Sequence, residues 1–299
     1  MARKYVWHLN RPEWGPGVVT EEQNGRVLVI FEKAGEFLLK GSAAVIEEII
    51  ESEIPPGSLI RDEVNWAKLR ENGKELKRQT KLRNQFSTFL ETFLAVFDEG
   101  FASANFIASE RVYKEKAVEQ ARLTLAGPEL EELLNAGRAT EVFERACRVL
   151  TNIVHRFEQK SFKEIPAAQH PLIARRLIDL LMAGERTPDA LESFANALVA
   201  HESAKWTVCT YFPFISEPTR WPFVKPLAVQ AAAAAIGYTI DYESRPNAKT
   251  YRQVIQLFEL VAEELDKAGH PPRDYIDVQT FLWFGCGMGV ANMERLASV

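Results

Sequence analysis

Five polar residues in the C-terminal third of the sequence could form a binding pocket. They are Lys205, Lys225, Asn247, Lys249 and Asp277. A lysine ammonium group attracts phosphate as a point charge, so convergence of these side chains would create a site for an anionic group. In the alternative, structural interpretation Asp277 is buried, paired with a Lys or Arg and hydrogen-bonded to Gln279, because an isolated buried carboxylate is costly. The pattern favours this alternative and predicts that Ile276, Phe281 and Trp283 are buried nearby.

Motifs of the common enzyme classes are absent from the sequence. It has no Walker A lysine loop, no HExxH and no Gly-x-Ser-x-Gly, and its histidines lie far from any Cys or His at ligand spacing. Glu158-Gln-Lys160 matches the Glu-x-Lys pair of many nucleases, but it falls in a predicted helix and the pattern is common by chance. Gly285-Cys-Gly-Met-Gly289 follows a helix instead of a strand, which favours a helix stop over a nucleotide-binding loop. We therefore predict no catalytic residue, no metal site and no cofactor.

Aromatic residues are concentrated in one short stretch that could stack on exposed bases. They are Trp206, Tyr211, Phe212, Phe214, Trp221 and Phe223. Large aromatic side chains dominate protein cores, so anchoring of an irregular loop on the core is the favoured interpretation.

A basic segment stands out in a chain whose net charge is −5. Between Arg61 and Arg83 there are eight basic and four acidic residues. An exposed helix face is the commoner explanation of such a segment, and an electrostatic footprint for nucleic acid is the alternative. The candidate contact residues in this alternative are Lys74, Lys77, Arg78 and Lys81.

Composition is that of an ordinary globular protein, with 46% hydrophobic and 26% charged residues. No apolar run approaches the roughly 18 residues of a membrane span. Residues 1–10 show no secretory signal, and the three cysteines form no CxxC pair. The sequence therefore predicts a cytoplasmic protein with no membrane contact.

Residues 4–40 have the pattern of short β-strands joined by tight turns. The run from Arg26 to Phe31 is rich in β-branched and aromatic residues, and Asn24-Gly25 just before it is a strong hairpin signal. Three or four such strands are too few for a sandwich and predict a small barrel over residues 1–41. Gly15 and Gly17 permit a sharp bend, while Trp14 and Phe31 are either core residues or an exposed aromatic platform, with the core favoured.

Helical periodicity replaces the strand pattern after Gly41. Ala43 to Glu53 is predicted to be an amphipathic helix within a linker over 42–60, and residues 61–299 an all-α domain. The fold class is therefore mainly α, with a small N-terminal β-barrel. The predicted helices cover about 66–99, 103–126, 128–136, 138–160, 170–184, 187–201, 226–236, 247–269 and 274–284.

The N-terminal string Trp7-His-Leu-Asn-Arg-Pro-Glu-Trp-Gly-Pro-Gly-Val-Val19, with Asn24-Gly25 and Ala34-Gly35, resembles the Tudor-like (SH3-like) domain at the end of bacterial repair helicases. The resemblance covers about forty residues. It implies a protein-binding barrel, with RNA polymerase as a known type of partner.

The C-terminal part looks like an uncharacterised bacterial helical domain found near restriction-type defence proteins. The resemblance is carried by Lys205-Trp-Thr-Val-Cys-Thr-Tyr-Phe-Pro-Phe214, Phe223-Val-Lys-Pro226, Pro246-Asn-Ala-Lys-Thr-Tyr251 and Asp274-Tyr-Ile-Asp-Val-Gln-Thr-Phe-Leu-Trp283. It implies a context beside a defence-system ATPase and supplies no mechanism.

Two functional hypotheses follow. The leading one is a non-enzymatic interaction protein of bacterial transcription, DNA maintenance or defence, whose barrel docks on a protein such as RNA polymerase or a defence-system ATPase, with weak nucleic-acid contact at most. The competing one is an enzyme acting on nucleic acid or nucleotides. It requires Lys205, Lys225, Lys249 and Asp277 to converge in one pocket.

Overall fold

The computed structural model describes residues 3–23, 26–40 and 46–291, with side chains throughout except at residue 40 and residues 75–84. The chain is mainly α-helical with a small N-terminal β-sheet, which confirms the predicted fold class. It divides into two compact units, Met1–Asn84 and Gln85–Val299. The first unit therefore extends beyond the predicted boundary at residue 41. Among the described residues, none of the helices is both long and apolar enough to cross a membrane.

The first unit contains a five-stranded antiparallel sheet. Its strands are β1 (Tyr5–His8), β2 (Gly17–Gln23), β3 (Arg26–Phe31), β4 (Gly35–Lys40) and β5 (Ile46–Ile49). They are ordered β4-β3-β2-β1-β5, so the chain forms a meander and returns to pair with its first strand. Gln23 pairs with Arg26 across the β2–β3 hairpin, and the predicted turn at Asn24-Gly25 lies outside the described residues.

The predicted amphipathic helix over 43–53 is wrong where the structure describes it. Ile46–Ile49 is strand β5, with Ile46 opposite His8 and Ile49 opposite Tyr5. Glu51–Glu53 follows as a single 3₁₀ turn. Backbone pairing with a strand some forty residues earlier prevails over the local helical pattern, as tertiary context often does over propensity.

One face of the sheet buries an aromatic cluster. The ring of Trp14 stacks on Phe37 with their centroids 4.1 Å apart, and it meets Phe31 edge-on at 5.3 Å. Phe31 is fully buried and Trp14 is partly buried. Such pairs stabilise a small core beyond the area that they bury. Phe31 is therefore a core residue and not a contact residue for a partner. One face of the Trp14 ring packs on Phe37, and the side chain remains partly exposed.

The opposite face is covered by the chain that follows β5. Tyr5, Val18 and Ile30 point to this face and are buried beneath Ile54, Ile60 and Leu69. Ile54 follows the 3₁₀ turn Glu51–Glu53, Ile60 lies in a second 3₁₀ turn, and Leu69 lies in the first helix. Because successive strand residues point to opposite faces, a sheet that is apolar on both faces needs a cover on each side. The chain from Ile54 to Leu69 therefore packs on the sheet as part of the first unit.

The remaining chain is helical. Its helices are α1 (Trp66–Leu94), α2 (Ala104–Phe106), α3 (Val112–Thr124), α4 (Gly127–Asn135), α5 (Ala139–Val149), α6 (Arg156–Lys163), α7 (His170–Leu181), α8 (Thr187–Leu198), α9 (Trp206–Ser216), α10 (Pro226–Ile236), α11 (Ala248–Lys267) and α12 (Tyr275–Gly285). A π-helical turn, Ile107–Arg111, joins α2 to α3.

Helix α9 was not expected, because its sequence has no apolar period and contains Pro213. It is the central helix of the second unit, and its residues from Val208 to Ile215 are buried. A helix that is apolar on all sides has no amphipathic signature. The aromatic stretch thus packs in the core, as predicted, but its first part is a regular helix and not an irregular loop.

The predicted helix 138–160 is two helices, α5 and α6. The break between them is held by the Gln159 amide, which donates to the carbonyl oxygens of Thr151 (2.7 Å) and Val154 (2.9 Å). The Tyr211 hydroxyl donates to the carbonyl oxygen of Val149 at 2.7 Å. The Val149 carbonyl group is one of those that the end of α5 leaves without a partner in the helix.

Two glycines of the first unit touch through their backbones. Gly73 lies in α1, and a Cβ atom built there would overlap the Cα atom of Gly35 and lie 2.5 Å from the carbonyl oxygen of Ala34. Gly35 itself has φ +76°, a conformation that other residues rarely adopt. The close approach requires glycine at both positions.

We expect Gly73→Ala to destabilise the first unit by about 1–3 kcal/mol, because backbone atoms must move to admit the methyl group. Helix propensity alone would predict a gain of about 1 kcal/mol, so the sign of the change is informative. Urea denaturation monitored by circular dichroism measures it. The exposed neighbour Lys74 provides the control Lys74→Ala, which should be neutral, and a stabilised Gly73→Ala variant would contradict the packing.

Candidate functional site

Asp277 is fully buried and bound by two arginines. The Arg111 Nη1 atom donates to its Oδ1 atom at 2.6 Å, and the Arg273 Nε atom donates to Oδ2 at 2.8 Å. The backbone N–H of Arg273 adds a third bond at 2.9 Å. Gln279, its predicted partner, is not among its hydrogen-bond partners in the described residues. Asp277 is therefore a structural carboxylate without access to a ligand.

Asp274 completes the buried charge network. It caps α12 by accepting from the backbone N–H groups of Ile276 (2.9 Å) and Asp277 (3.3 Å), and it receives the Arg111 Nη2 atom at 2.7 Å. Burial alone would lower the pKa of Arg111, but its hydrogen bond to Asp274 and the charge of Asp277 raise it above the ordinary value. The arginine thus stays charged.

Lys114 is buried beside this network. Its Nζ atom donates to Glu110 Oε2 at 2.9 Å and to Thr280 Oγ1 at 2.6 Å. Burial lowers its pKa, although the charge of Glu110 opposes the shift. Together, Arg111 and Lys114 fix the start of α3 against α12.

The predicted pocket residues do not converge. Lys205 is exposed, Lys249 pairs with Asp241 at 2.8 Å on the surface, and Asn247 caps α11 by accepting from the Thr250 backbone N–H at 2.8 Å. Asp277 lies in the core. Of the five predicted residues, Lys225 is the one that lines the cleft described next.

The cleft that contains Lys225 lies wholly within the second unit and has a volume of about 620 Å³. The residues that line it are Glu110, Tyr113, Asn152, Ile153, His155, Glu158, Thr207, Lys225, Pro226, Leu227, Trp283 and Met288. Sequence analysis missed Glu110 and Tyr113, for which no motif gave a signal. Trp283 was expected to be buried and is only half-buried, because it forms one wall of the cleft.

The Lys225 ammonium group lies over the ring of Trp283, 3.9 Å from its centroid. Burial lowers the pKa of Lys225 to about 8, and the nearby charge of Lys114 adds to the shift. Burial next to the negative charge of Glu110 raises the pKa of Tyr113, so its hydroxyl stays protonated. The cleft therefore holds one partly desolvated cation beside an aromatic ring.

The nuclease-like pair Glu158 and Lys160 does not form a catalytic unit. Glu158 lines the cleft, whereas Lys160 pairs with Glu164 at 3.7 Å on the surface. Gly285 ends α12, as expected of a helix stop. In the part of the chain that the structure describes, no three acidic, His or Cys side chains are grouped so that they could hold a metal ion.

A second candidate surface lies on the sheet of the first unit. Leu28 of β3 pairs with Leu38 of β4 and with Glu21 of β2, so the three side chains are neighbours on one face. Leu38 is 55% exposed, and with Gln23 and Arg26 these residues line a groove. We call Leu28 and Leu38 the leucine pair.

Helix α1 carries the predicted nucleic-acid contacts. The Lys74 side chain is 75% exposed and only loosely paired with Glu71, at 3.8 Å. The side chains of Lys77, Arg78 and Lys81 lie outside the described residues. The helix is confirmed, and the contact with nucleic acid stays a prediction.

Comparison with known proteins identifies one family. Residues 4–49 match the model of DUF3553, a family of proteins of unknown function. No curated protein and no solved structure matches the chain significantly. The match covers the five strands and agrees with a separate N-terminal domain.

We expect Asp277→Ala to lower the stability of the second unit by about 3–5 kcal/mol, because it removes from the core the carboxylate that Arg111 and Arg273 share. Thermal unfolding measures the loss. Asp241→Ala, which breaks an exposed pair with Lys249, is the matched control and should cost at most about 1 kcal/mol. Equal effects of the two changes would contradict the buried network.

Proposed function

We propose that this protein is a non-enzymatic interaction protein whose N-terminal unit docks on a protein partner. The observation that carries the proposal is the leucine pair. On the same face of the sheet, Tyr5, Val18 and Ile30 are covered by residues 54–69, whereas Leu38 remains 55% exposed. A large apolar side chain at the centre of a polar rim is the usual anatomy of a protein interface.

The surroundings of the leucine pair suit a polypeptide partner. Glu21 and Arg26 place opposite charges on the rim of the groove, so a partner can be oriented by both. The groove has a volume of about 560 Å³, which is enough to admit a side chain from another protein. A charged rim mainly sets the specificity and rate of association, and the leucines supply the apolar contact.

The strand order supports the SH3-like interpretation of this unit. A four-stranded meander whose fifth strand returns to the first is the arrangement of SH3-like barrels. Under the Tudor-like resemblance, the partner is a component of bacterial transcription, DNA maintenance or defence, such as RNA polymerase or a defence-system ATPase. This placement, like the cytoplasmic one, rests on the resemblance and on the sequence.

The competing enzyme hypothesis lacks the geometry that it requires. Its four side chains had to meet in one pocket, and in the structure Lys225 lines the cleft while Lys249 and Asp277 are paired elsewhere. We therefore favour docking over catalysis.

We expect Leu38→Glu to abolish capture of the partner without unfolding the chain, since the side chain is largely in solvent. The bait proteins are purified from the native host, and captured proteins are identified by mass spectrometry and then retested in purified form. Val64→Glu is the matched control, because Val64 is 83% exposed in the same unit and lies outside the groove.

A protein that binds wild type and Val64→Glu, and that loses about tenfold or more in affinity for Leu38→Glu, supports the proposal. Equal binding to all three baits would rule out the leucine pair as the docking surface.

Weak nucleic-acid contact through α1 is tested separately. Joint replacement of Lys74, Lys77, Arg78 and Lys81 by Glu should abolish any binding and leave the helix folded, because these residues have similar helix propensities. An electrophoretic shift titration at low salt measures the binding of nucleic acid by the wild-type chain and by this variant. Removal of each side chain that neutralises a phosphate should reduce the logarithmic salt slope by about 0.9. The absence of a complex at concentrations near 10⁻⁴ M, roughly the weak end of non-specific binding, would remove nucleic acid from the partners.

A further inference from the structure

Lys225 occupies an unusual position for a lysine. It precedes α10 as its N-cap residue, Pro226 is the first residue of the helix, and no side chain caps this end. The first helical bond is donated by Val229 to the Lys225 carbonyl oxygen. The N–H groups of Leu227 and Ala228 therefore have no acceptor within the helix, and they add a partial positive charge beside the ammonium group.

The charges around Lys225 leave it without a counterion. Within the described residues, no carboxylate lies within ion-pair distance of its Nζ atom. Glu110 is nearby but is held by Lys114 at 2.9 Å, and Glu158 lines the cleft. The other titratable groups in this region are Tyr113, His155 and Cys286.

A cation without a counterion is costly to keep in a partly buried site. Stacking on Trp283 compensates for only part of the lost hydration, because such contacts are worth about 0.5–2 kcal/mol. An anion that enters the cleft would restore the missing charge. It would also meet a ready apolar surface, since Ile153, Leu227 and Met288 line the same cleft as Trp283.

We propose that this cleft binds an organic carboxylate with an apolar or aromatic body. The carboxylate accepts hydrogen bonds from the Lys225 ammonium group at the start of α10, and the body packs on Trp283 and Leu227. The volume of about 620 Å³ is within the range of small-molecule sites. This inference concerns the second unit and does not depend on docking by the first.

The charge of the cleft favours a carboxylate over a phosphate. The lining residues supply one ammonium group and no arginine, together with the carboxylates of Glu110 and Glu158. A phosphate dianion would be repelled by both and would have one full cation to bind. Phosphate sites usually offer arginine forks or several donors.

Naphthalene-2-carboxylate is a suitable probe, and isothermal titration calorimetry with the full-length chain is the measurement. The neutral naphthalene-2-carboxamide has the same shape and should bind about tenfold more weakly or not at all, because it lacks the charge. Inorganic phosphate should not compete at similar concentrations.

Two substitutions locate the site. Lys225→Gln should weaken probe binding by about tenfold or more. Lys205→Gln, which also replaces a lysine at a helix N-cap but on an exposed position outside the cleft, should leave it unchanged. Thermal unfolding of each variant verifies that it is folded.

The pH dependence gives an independent readout. Lys225 is protonated below its pKa of about 8 and neutral above it, so affinity for the probe should fall as pH rises through that value. Lys225→Arg keeps its charge at pH about 10 and should retain binding there.

Equal binding of the acid and the amide, or an effect of Lys205→Gln as large as that of Lys225→Gln, would overturn the proposal. So would the absence of probe binding to the wild-type chain at about 10 mM, the weak end of ligand affinities.

Discussion

The second unit depends on the pairing of charges that its core cannot hold singly. Asp277 is fully buried, and Arg111 binds both it and Asp274, so the start of α3 is fixed against the start of α12. Removal of any one partner would leave a charge in a medium that solvates it poorly. The cleft takes its shape from this constraint. Glu110 and Tyr113 flank Arg111 in sequence, and Trp283 stands on α12 beyond Asp277, so the walls of the cleft are positioned by the ion pairs beneath it.

The first unit is shaped by a different requirement. Its sheet has an aromatic cluster on one face and an aliphatic cluster on the other, and neither face can be left in water. The chain after β5 supplies the second cover and leaves Leu38 of the leucine pair 55% exposed. The exposure of Leu38 and the extent of the first unit are therefore two results of the same packing requirement.

Elements with strong local signals were predictable from the sequence. Helix α10 begins at Pro226 and ends before Gly237, whose φ of +67° suits a helix terminus, and the predicted bounds agree with the structure. Strand β3 followed from its β-branched run. Strand β5 and helix α9 were missed, because the first depends on pairing with β1 and the second is apolar on all sides.

The candidate sites were less predictable, for a related reason. The cost of a buried carboxylate implied a partner for Asp277. One partner, Arg273, lies only four residues before it, but the other, Arg111, lies 166 residues away, and no spacing rule reaches so far. Lys225 was among the residues singled out from the sequence and it lines the cleft, whereas its neighbours there come from segments spread over the whole second unit. The leucine pair was missed because Leu28 and Leu38 resemble ordinary strand residues in sequence.

The segment after β5 that covers one face of the sheet also affects how this unit could be transferred between proteins during evolution. The DUF3553 match ends at residue 49, whereas the compact unit continues to Asn84. A gene fusion that joined only the matched segment to a new protein would expose Tyr5, Val18 and Ile30 to solvent. Any recipient must therefore inherit the covering segment as well, or supply an apolar surface of its own that takes its place.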